Sequence, residues 1–398
     1  MNSAAHAGHK CRICGASALR EFEKFRALKR VTSDSRPWKA GGRLAVCEEC
    51  GSVQKLVEPD WLEDIDRIYK SYVIYHQAAG KEQPIFAGGG PPLPRSLALA
   101  QYLDQNLPLA ERAQVLDFGC GTGAALKTYS ARYPHWTLYG AELSTQSLAL
   151  LQKIPGFAEL FTCPPADISM QFELITAFHA IEHVLDPVAT LRDLSGRLTG
   201  GGILFVQVPD AEKNPYDLVI ADHLMHFTLE SLRFAALLAG LNIIEVSDAV
   251  LPKELSLIAR AGNATHRTEP VSPDPRQSMA RVDAQIDWLV NQAESANVIA
   301  RASGNFGLFG SSISATWLAG LLGDRISFFV DEDKTRVGGR HMGKPIIGPS
   351  DIAADADVYV PLIPTVAASV ANRLARPGIR FHTPPSFGQR AVNHEMVS

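Results

Sequence analysis

No run of about 18 or more apolar residues occurs anywhere in the chain, so no membrane span is expected. Neither sign of charge dominates. The 38 Lys and Arg nearly balance the 42 Asp and Glu, and a net charge of -4 over 398 residues offers no basic footprint for nucleic acid. The opening stretch, MNSAAHAGHKCRICG, has no apolar core of the kind a secretory signal carries, which points to a soluble, cytoplasmic protein. Cysteine is scarce. Six in a chain of this length do not make a disulfide framework. A low apolar content is not among the deficits: 46% of residues are hydrophobic, which excludes bulk disorder, and the length suits two to four domains.

Four of the six cysteines form two C-x2-C pairs, Cys11/Cys14 and Cys47/Cys50. Each pair is followed by Gly (CRICG, CEECG), the small residue that a knuckle turn needs for backbone N–H groups to approach sulfur. Such pairs can place four thiolates around one tetrahedral Zn²⁺, the alternative being free thiols or a redox pair. Four thiolates leave no open position, so the expected metal is structural, and its binding energy becomes folding energy for a segment too small to build its own core.

Breaker clusters divide the rest. FAGGGPPLPRS and THRTEPVSPDPRQ read as linkers. Between them, strand candidates AQVLDF, WTLYGAE, FELITAF and GILFVQVP alternate with amphipathic stretches such as PVATLRDLSGRL, the pattern of a parallel sheet covered on both faces. A helix is expected over SMARVDAQIDWLVNQAESANVIARA. A smaller α/β unit follows, with strands in NFGLFG, RISFFVDE and DVYVPLIP and helices in SATWLAGLLG and VAASVANRL. The expected division is a zinc-binding segment at 1–85, a larger α/β domain at 86–262, a linker and helix at 263–302, and a C-terminal α/β domain at 303–398.

The most informative dozen residues are VLDFGCGTGAAL, 115–126. A hydrophobic strand reaches Asp117 and passes into a turn with Gly119, Gly121 and Gly123, where backbone can come close to a ligand at the carboxyl end of the first strand. The spacing is G-x-G-x-G rather than G-x-G-x-x-G. Pyrophosphate would be repelled by Asp117, whereas a cationic amino-acid moiety would be favoured. The second strand ends at Glu142, placed to accept ribose hydroxyls. Together these residues resemble the class I S-adenosylmethionine-dependent methyltransferases, a Rossmann-like fold. The resemblance implies that Gly119, Cys120, Gly121 and Gly123 line the cofactor. It also implies that Glu142 binds the ribose, Asp117 lies near the methionine end, and Asp167 faces the adenine amine. FELITAFHAIEHV resembles the family's fourth-strand motif, with His179 just beyond the strand. Glu182 and His183 read either as an acid/base pair or as a helix-start pair that orders the cofactor loop.

The stretch FVQVPDAEKNPYDLVIADHLMHFTLES, 205–231, follows a strand carboxyl end and holds His223 and His226 near Asp222. An imidazole there can take a proton from a substrate, and a neighbouring carboxylate can orient it. The order of zinc knuckle, methyltransferase domain and C-terminal α/β domain resembles the three-domain sugar C-methyltransferases of deoxysugar biosynthesis, which methylate C3 of nucleotide-linked 4-keto-6-deoxysugars. Their Tyr-His-Glu-His motif falls on Ile220, Ala221, Asp222 and His223. The resemblance implies that His223 is the base beside Asp222, while the Tyr that could stabilise an enolate is absent at Ile220. It also implies substrate contacts from Tyr72, Tyr75, His76 and His226, although the tyrosine spacing equally suits a helix that covers the sheet. Arg336, Arg340, His341 and Lys344 could hold a pyrophosphate, or could lie in a solvated loop. The reading is an enzyme that uses S-adenosylmethionine and structural zinc on a small-molecule substrate, a nucleotide sugar, as a monomer or weak homo-oligomer without nucleic acid or membrane. The alternative is an O- or N-methyltransferase of another sugar or small metabolite.

Overall fold

A computed structural model of the chain describes residues 9–71, 82, 84–85, 93–262 and 270–388. Its centre is a seven-stranded sheet. The strands are β1 (Gln114–Phe118), β2 (Thr137–Ala141), β3 (Phe157–Phe161), β4 (Phe172–Phe178), β5 (Leu198–Pro209), β6 (Leu241–Ser247) and β7 (Glu254–Ala261). The spatial order is β3-β2-β1-β4-β5-β7-β6, with β7 alone antiparallel to both neighbours. Alternate residues of each central strand enter opposite cores. Leu116, Ile175, Leu204 and Val206 face the helices Pro187–Ser195 and Leu229–Leu238. Val115, Leu174, Ile203 and Phe205 face Arg95–Asn106 and Ala124–Arg132. Burial on both faces is why these strands read as continuous apolar runs rather than as alternating ones.

The reversal of strand order at β1 and β4 opens a crevice at the strand carboxyl ends, where ligands bind in open α/β sheets. The register places Asp117 opposite Thr176 at that rim, and the Thr176 hydroxyl donates to Asp117 at 2.7 Å.

A second, four-stranded sheet draws on two distant parts of the chain. Strands Leu19–Glu21, Leu44–Cys47 and Val53–Lys55 are continued by Met225–His226, which pairs antiparallel with Val53–Lys55. The region around residue 223 is thereby tied to the cysteine hairpin. A six-stranded sheet follows, with Phe306–Phe309 at its middle and helices Ile313–Leu322 and Pro364–Leu374 beside it.

The 28-residue helix Pro275–Ala302 begins at a proline, where a missing N–H costs nothing, and is capped by Asp274, which accepts from the Arg276 N–H at 2.8 Å. It starts three residues before the stretch expected from the sequence. One buried core joins Phe25, Tyr216, Trp288, Phe306 and Trp317, residues from all four expected segments. The Trp317 indole donates to the Lys29 carbonyl at 2.8 Å and Tyr216 to Gln292 at 2.8 Å. Burying each such large side chain contributes about 1.5–3 kcal/mol.

Strands β3, β6 and β7 are not apparent in the sequence pattern. FAELF is an edge strand with no fully buried residue, and LNIIEVS is half-exposed at the opposite edge. Among the described residues, no helix is long and apolar enough to cross a membrane.

Candidate functional site

The glycine turn after β1 has the conformation its residues require. Gly119, Gly121 and Gly123 all adopt positive φ, of 76°, 51° and 80°. A Cβ on Gly119 would lie 2.7 Å from the Ala180 Cβ, and one on Gly123 would lie 2.7 Å from both Ile154 and Leu151. Glu142, at the end of β2, accepts from the Gly121 N–H at 3.0 Å and the Leu143 N–H at 2.8 Å, so the acidic residue and the turn form one unit. Cys120 is buried against Gly140, and burial raises its thiol pKa. Burial also raises Asp117 to about 7, against the Thr176 hydrogen bond. Asp167 is exposed at the end of the short turn Pro165–Asp167 after β3.

His179, just past β4, has φ 53°, a left-handed conformation that is strained for a non-glycine residue. Its ring lies between two carboxylates, with Nδ1 3.3 Å from Glu182 and Nε2 3.2 Å from Glu254. Burial opposes its charge, but Glu254 and Glu182 outweigh burial and raise it to about 9. Both contacts join the ring to buried carboxylates, and Glu182 Oε2 is left without a hydrogen-bond partner. Such a concentration at a strand carboxyl end is what a polar ligand's site requires.

The loop after β5 holds the other half of the site. His223 is nearly buried, and its Nδ1–H donates to Asp217 Oδ1 at 2.7 Å. His226 donates from Nδ1 to the second oxygen of the same carboxylate at 2.6 Å. The sequence reading placed Asp222 as the orienting acid. The structure corrects this, because Asp222 lies in a turn that directs its carboxylate to Ser33 rather than to His223. Its Oδ1 accepts the Ser33 N–H at 2.9 Å and its Oδ2 the Ser33 hydroxyl at 2.5 Å. Burial works against ionisation of Asp217, yet the two imidazoles hold its carboxyl well below the usual range. Burial lowers His223, but Asp217 more than compensates and its pKa is raised. Burial and the nearby Lys55 push His226 down to about 4. The His226 side chain is fully buried and Asp217 occupies its Nδ1, so it presents no surface of the kind substrate contact needs.

Elements from the N-terminal segment hold this loop in place. Lys55 is completely buried. Its Nζ donates to the carbonyls of Ile220 and, at 2.9 Å, His223, while its backbone N–H donates to Leu224 at 2.8 Å. The Ala221 N–H donates to Val31, and the Trp61 indole to the Ala221 carbonyl at 3.3 Å. Tyr69, near the end of helix Pro59–Lys70, lies 3.1 Å from His183 Nδ1. Tyr72, Tyr75 and His76 lie outside the described residues. Asp217, Lys55 and Ser33 are absent from the sequence reading. The only signal available for Lys55 is its place between Val53 and the apolar pair Leu56 and Val57.

The four cysteine side chains stand together, all sulfurs within 4.8 Å, with Cys11–Cys50 and Cys14–Cys47 each 3.6 Å apart. That is far beyond a disulfide bond and close to the edge, about 3.8 Å, of a tetrahedron with metal–sulfur bonds of about 2.3 Å. These thiolates therefore fit a four-coordinate metal.

The basic residues of the C-terminal unit do not converge as a pyrophosphate site would require. Arg336 is buried against Asp331 and Asp333, and His341 is bonded to Thr316 at 2.7 Å. Lys344 lies 3.6 Å from Asp324.

Residues 94–246 match a family described as a methyltransferase domain. A trans-aconitate 2-methyltransferase of Variovorax paradoxus (strain S110) is 31% identical over 121 residues, 29% of this chain and 46% of the relative. A ubiquinone biosynthesis O-methyltransferase of Aromatoleum aromaticum is 30% identical over 115 residues, 26% of this chain and 47% of the relative. The chain thus spans about half the length of the curated relatives it matches. A solved S-adenosylmethionine-dependent methyltransferase from Clostridium acetobutylicum is 14% identical, covering 51% of this chain and 98% of that one, at a TM-score of 0.36. The family match, joined to the sheet order and the glycine turn, identifies within this chain a class I methyltransferase domain of the S-adenosylmethionine-dependent kind.

Proposed function

We propose that this protein is an S-adenosylmethionine-dependent methyltransferase that methylates the carbon beside the ketone of a nucleotide-linked keto-deoxysugar. The observation that carries the reading is the buried His223–Asp217 pair on the loop after β5. With Nδ1–H committed to Asp217, the neutral ring offers Nε2 as the base, and the carboxylate stabilises the imidazolium formed when a proton is taken. A carbon acid beside a carbonyl needs such a base to become an enolate.

The backbone of Gly119, Gly121 and Gly123, with Glu142, would hold the cofactor's nucleoside. Asp117, His179, Cys120 and Asp167 border it in this reading. Bound S-adenosylmethionine supplies an electrophilic methyl group. The chain's own part is to fix the acceptor in line, hold the proton on His223 Nε2 and keep water out, and placement of this kind lowers a barrier substantially. Cys11, Cys14, Cys47 and Cys50 would hold a structural Zn²⁺, which stiffens the hairpin on which the catalytic loop rests.

The second reading, O- or N-methylation of another small metabolite, is favoured by one relative's description as an O-methyltransferase and by Ile220, which cannot donate to an enolate oxygen. The discriminating experiment is a mass-spectrometric screen for methyl transfer across keto-sugar nucleotides, run alongside exchange in deuterated solvent. With S-adenosylhomocysteine bound, the proposed reaction exchanges the C3 proton of the acceptor, and His223→Ala abolishes that exchange. Methylation of acceptors that lack a ketone, with no exchange, would establish the second reading instead.

A further inference from the structure

Glu182 carries a charge for which the proposed chemistry has no use. It lies in the turn Ile181–His183 beyond β4 and is 1% exposed; its Oε1 is ion-paired with His179 Nδ1 at 3.3 Å, and no donor is aligned on its Oε2. A carboxylate taken out of water costs several kcal/mol, and the single imidazole contact on Oε1 leaves Oε2 with nothing to offset that cost.

Two imidazoles complete a cluster. The His183 and His223 rings meet edge to face, their centroids 4.7 Å apart at 87°. One ligand atom from each of Glu182, His183 and His223 falls within 4.8 Å of the other two. Both histidines have Nδ1 already engaged. His223 donates to Asp217, and His183 lies 2.9 Å from the Asp222 carbonyl and 3.1 Å from the Tyr69 hydroxyl. Each neutral ring thereby keeps its lone pair on Nε2. A carboxylate or carbonyl behind Nδ1 is the outer shell that metal-ligating histidines carry, and it fixes both tautomer and ring orientation.

We propose that Glu182, His183 and His223 form a second metal site, separate from the four cysteines, for a borderline divalent cation such as Zn²⁺ or Co²⁺. Two imidazoles and one carboxylate suit such ions better than Mg²⁺ and leave coordination positions for water or a substrate oxygen. The consequence for turnover rests on the role given to His223 above. The same nitrogen cannot hold a cation and accept a proton, so occupation of this site stops the reaction.

The test titrates Co²⁺ into the full chain as purified. A site with nitrogen and oxygen ligands gives weak visible bands, distinct from the intense near-ultraviolet absorption of cobalt bound to thiolates, and equilibrium dialysis with Zn²⁺ counts the ions. One ion per chain beyond the cysteine site is expected. Glu182→Gln and His183→Asn should each weaken it at least about ten-fold. S-adenosylhomocysteine calorimetry on both variants confirms that they are folded. The proposal is overturned if no additional ion binds, or if folded variants titrate like the parent. Binding at these residues with turnover unslowed would uphold the metal site and remove His223 from the role of base. Inactivity of His223→Ala without any additional ion would uphold the base and overturn the metal site.

Discussion

Asp217 and His223 are six positions apart in the chain, and the Asp217 Oδ1 lies 2.7 Å from the His223 Nδ1 in a buried loop. The second oxygen of Asp217 holds His226. One carboxylate therefore sets the tautomers of two imidazoles, and removing its charge releases both.

Asp217→Asn should lower kcat by about 10²–10⁴, the usual contribution of a positioned acid–base group, while the affinity for S-adenosylhomocysteine measured by calorimetry stays unchanged. Asp222→Asn should cost less, because Asp222 is bonded to Ser33 rather than to the base. Equal losses in the two variants would remove the distinction.

In the proposed role His223 works as the neutral imidazole, and Asp217 raises its pKa against the effect of burial. Protonation silences the base, so kcat/KM should fall as pH drops through a value above the ordinary imidazole pKa of about 6.5. In Asp217→Asn that acid limb should move to lower pH. A limb that does not move would point to another titrating group.

Lys55→Met removes the donor to the carbonyls of Ile220 and His223. Each buried carbonyl left unpaired costs about 1–3 kcal/mol, so denaturant unfolding should show a loss of that order. The effect on turnover should exceed the effect on cofactor affinity, since the glycine turn is not among its contacts.

Gly119→Ala forces a side chain into a φ of 76° with its Cβ 2.7 Å from that of Ala180. The left-handed conformation alone costs about 1–2 kcal/mol. Calorimetry should show S-adenosylhomocysteine binding weakened by at least about ten-fold, as 1.4 kcal/mol is a factor of ten. His223→Ala should show no such change.

Metal analysis of the purified protein should find about one tightly held Zn per chain, as four thiolate ligands require. Cys47→Ser should lose it. Because Val53–Lys55, on the same hairpin as Cys47, pairs with Met225–His226, the amides of residues 220–226 should then exchange faster with solvent. A folded, metal-free protein with unchanged exchange would refute this coupling.

What the sequence makes legible here is local. The ranges of β1, β2 and β4 follow from short apolar runs, and the glycine turn from three residues that tolerate positive φ. The meeting of the two cysteine pairs is readable because their spacing is itself the chemical signal. Chain adjacency pairs His223 with Asp222, whereas the carboxylate bonded to it in space is that of Asp217. Asp217 lies in the short 3-10 helix Pro215–Val219, too brief for a sequence periodicity to indicate which way its side chain points. The basic residues near 340 appeared as a group in the sequence, yet the fold gives Arg336, His341 and Lys344 separate partners.

The sequence by itself determined the parallel α/β core, the glycine turn with Glu142 at the next strand end, and the two cysteine pairs. Each of these depends on residues within one turn, one strand or one knuckle. Only the tertiary structure decided that Asp217 serves His223 and His226, that Lys55 and Ser33 hold the loop from 168 and 189 residues away, and that Glu182 faces two imidazoles. Those contacts arise where distant segments pack, and burial then makes each unpaired polar atom costly enough to select a particular partner.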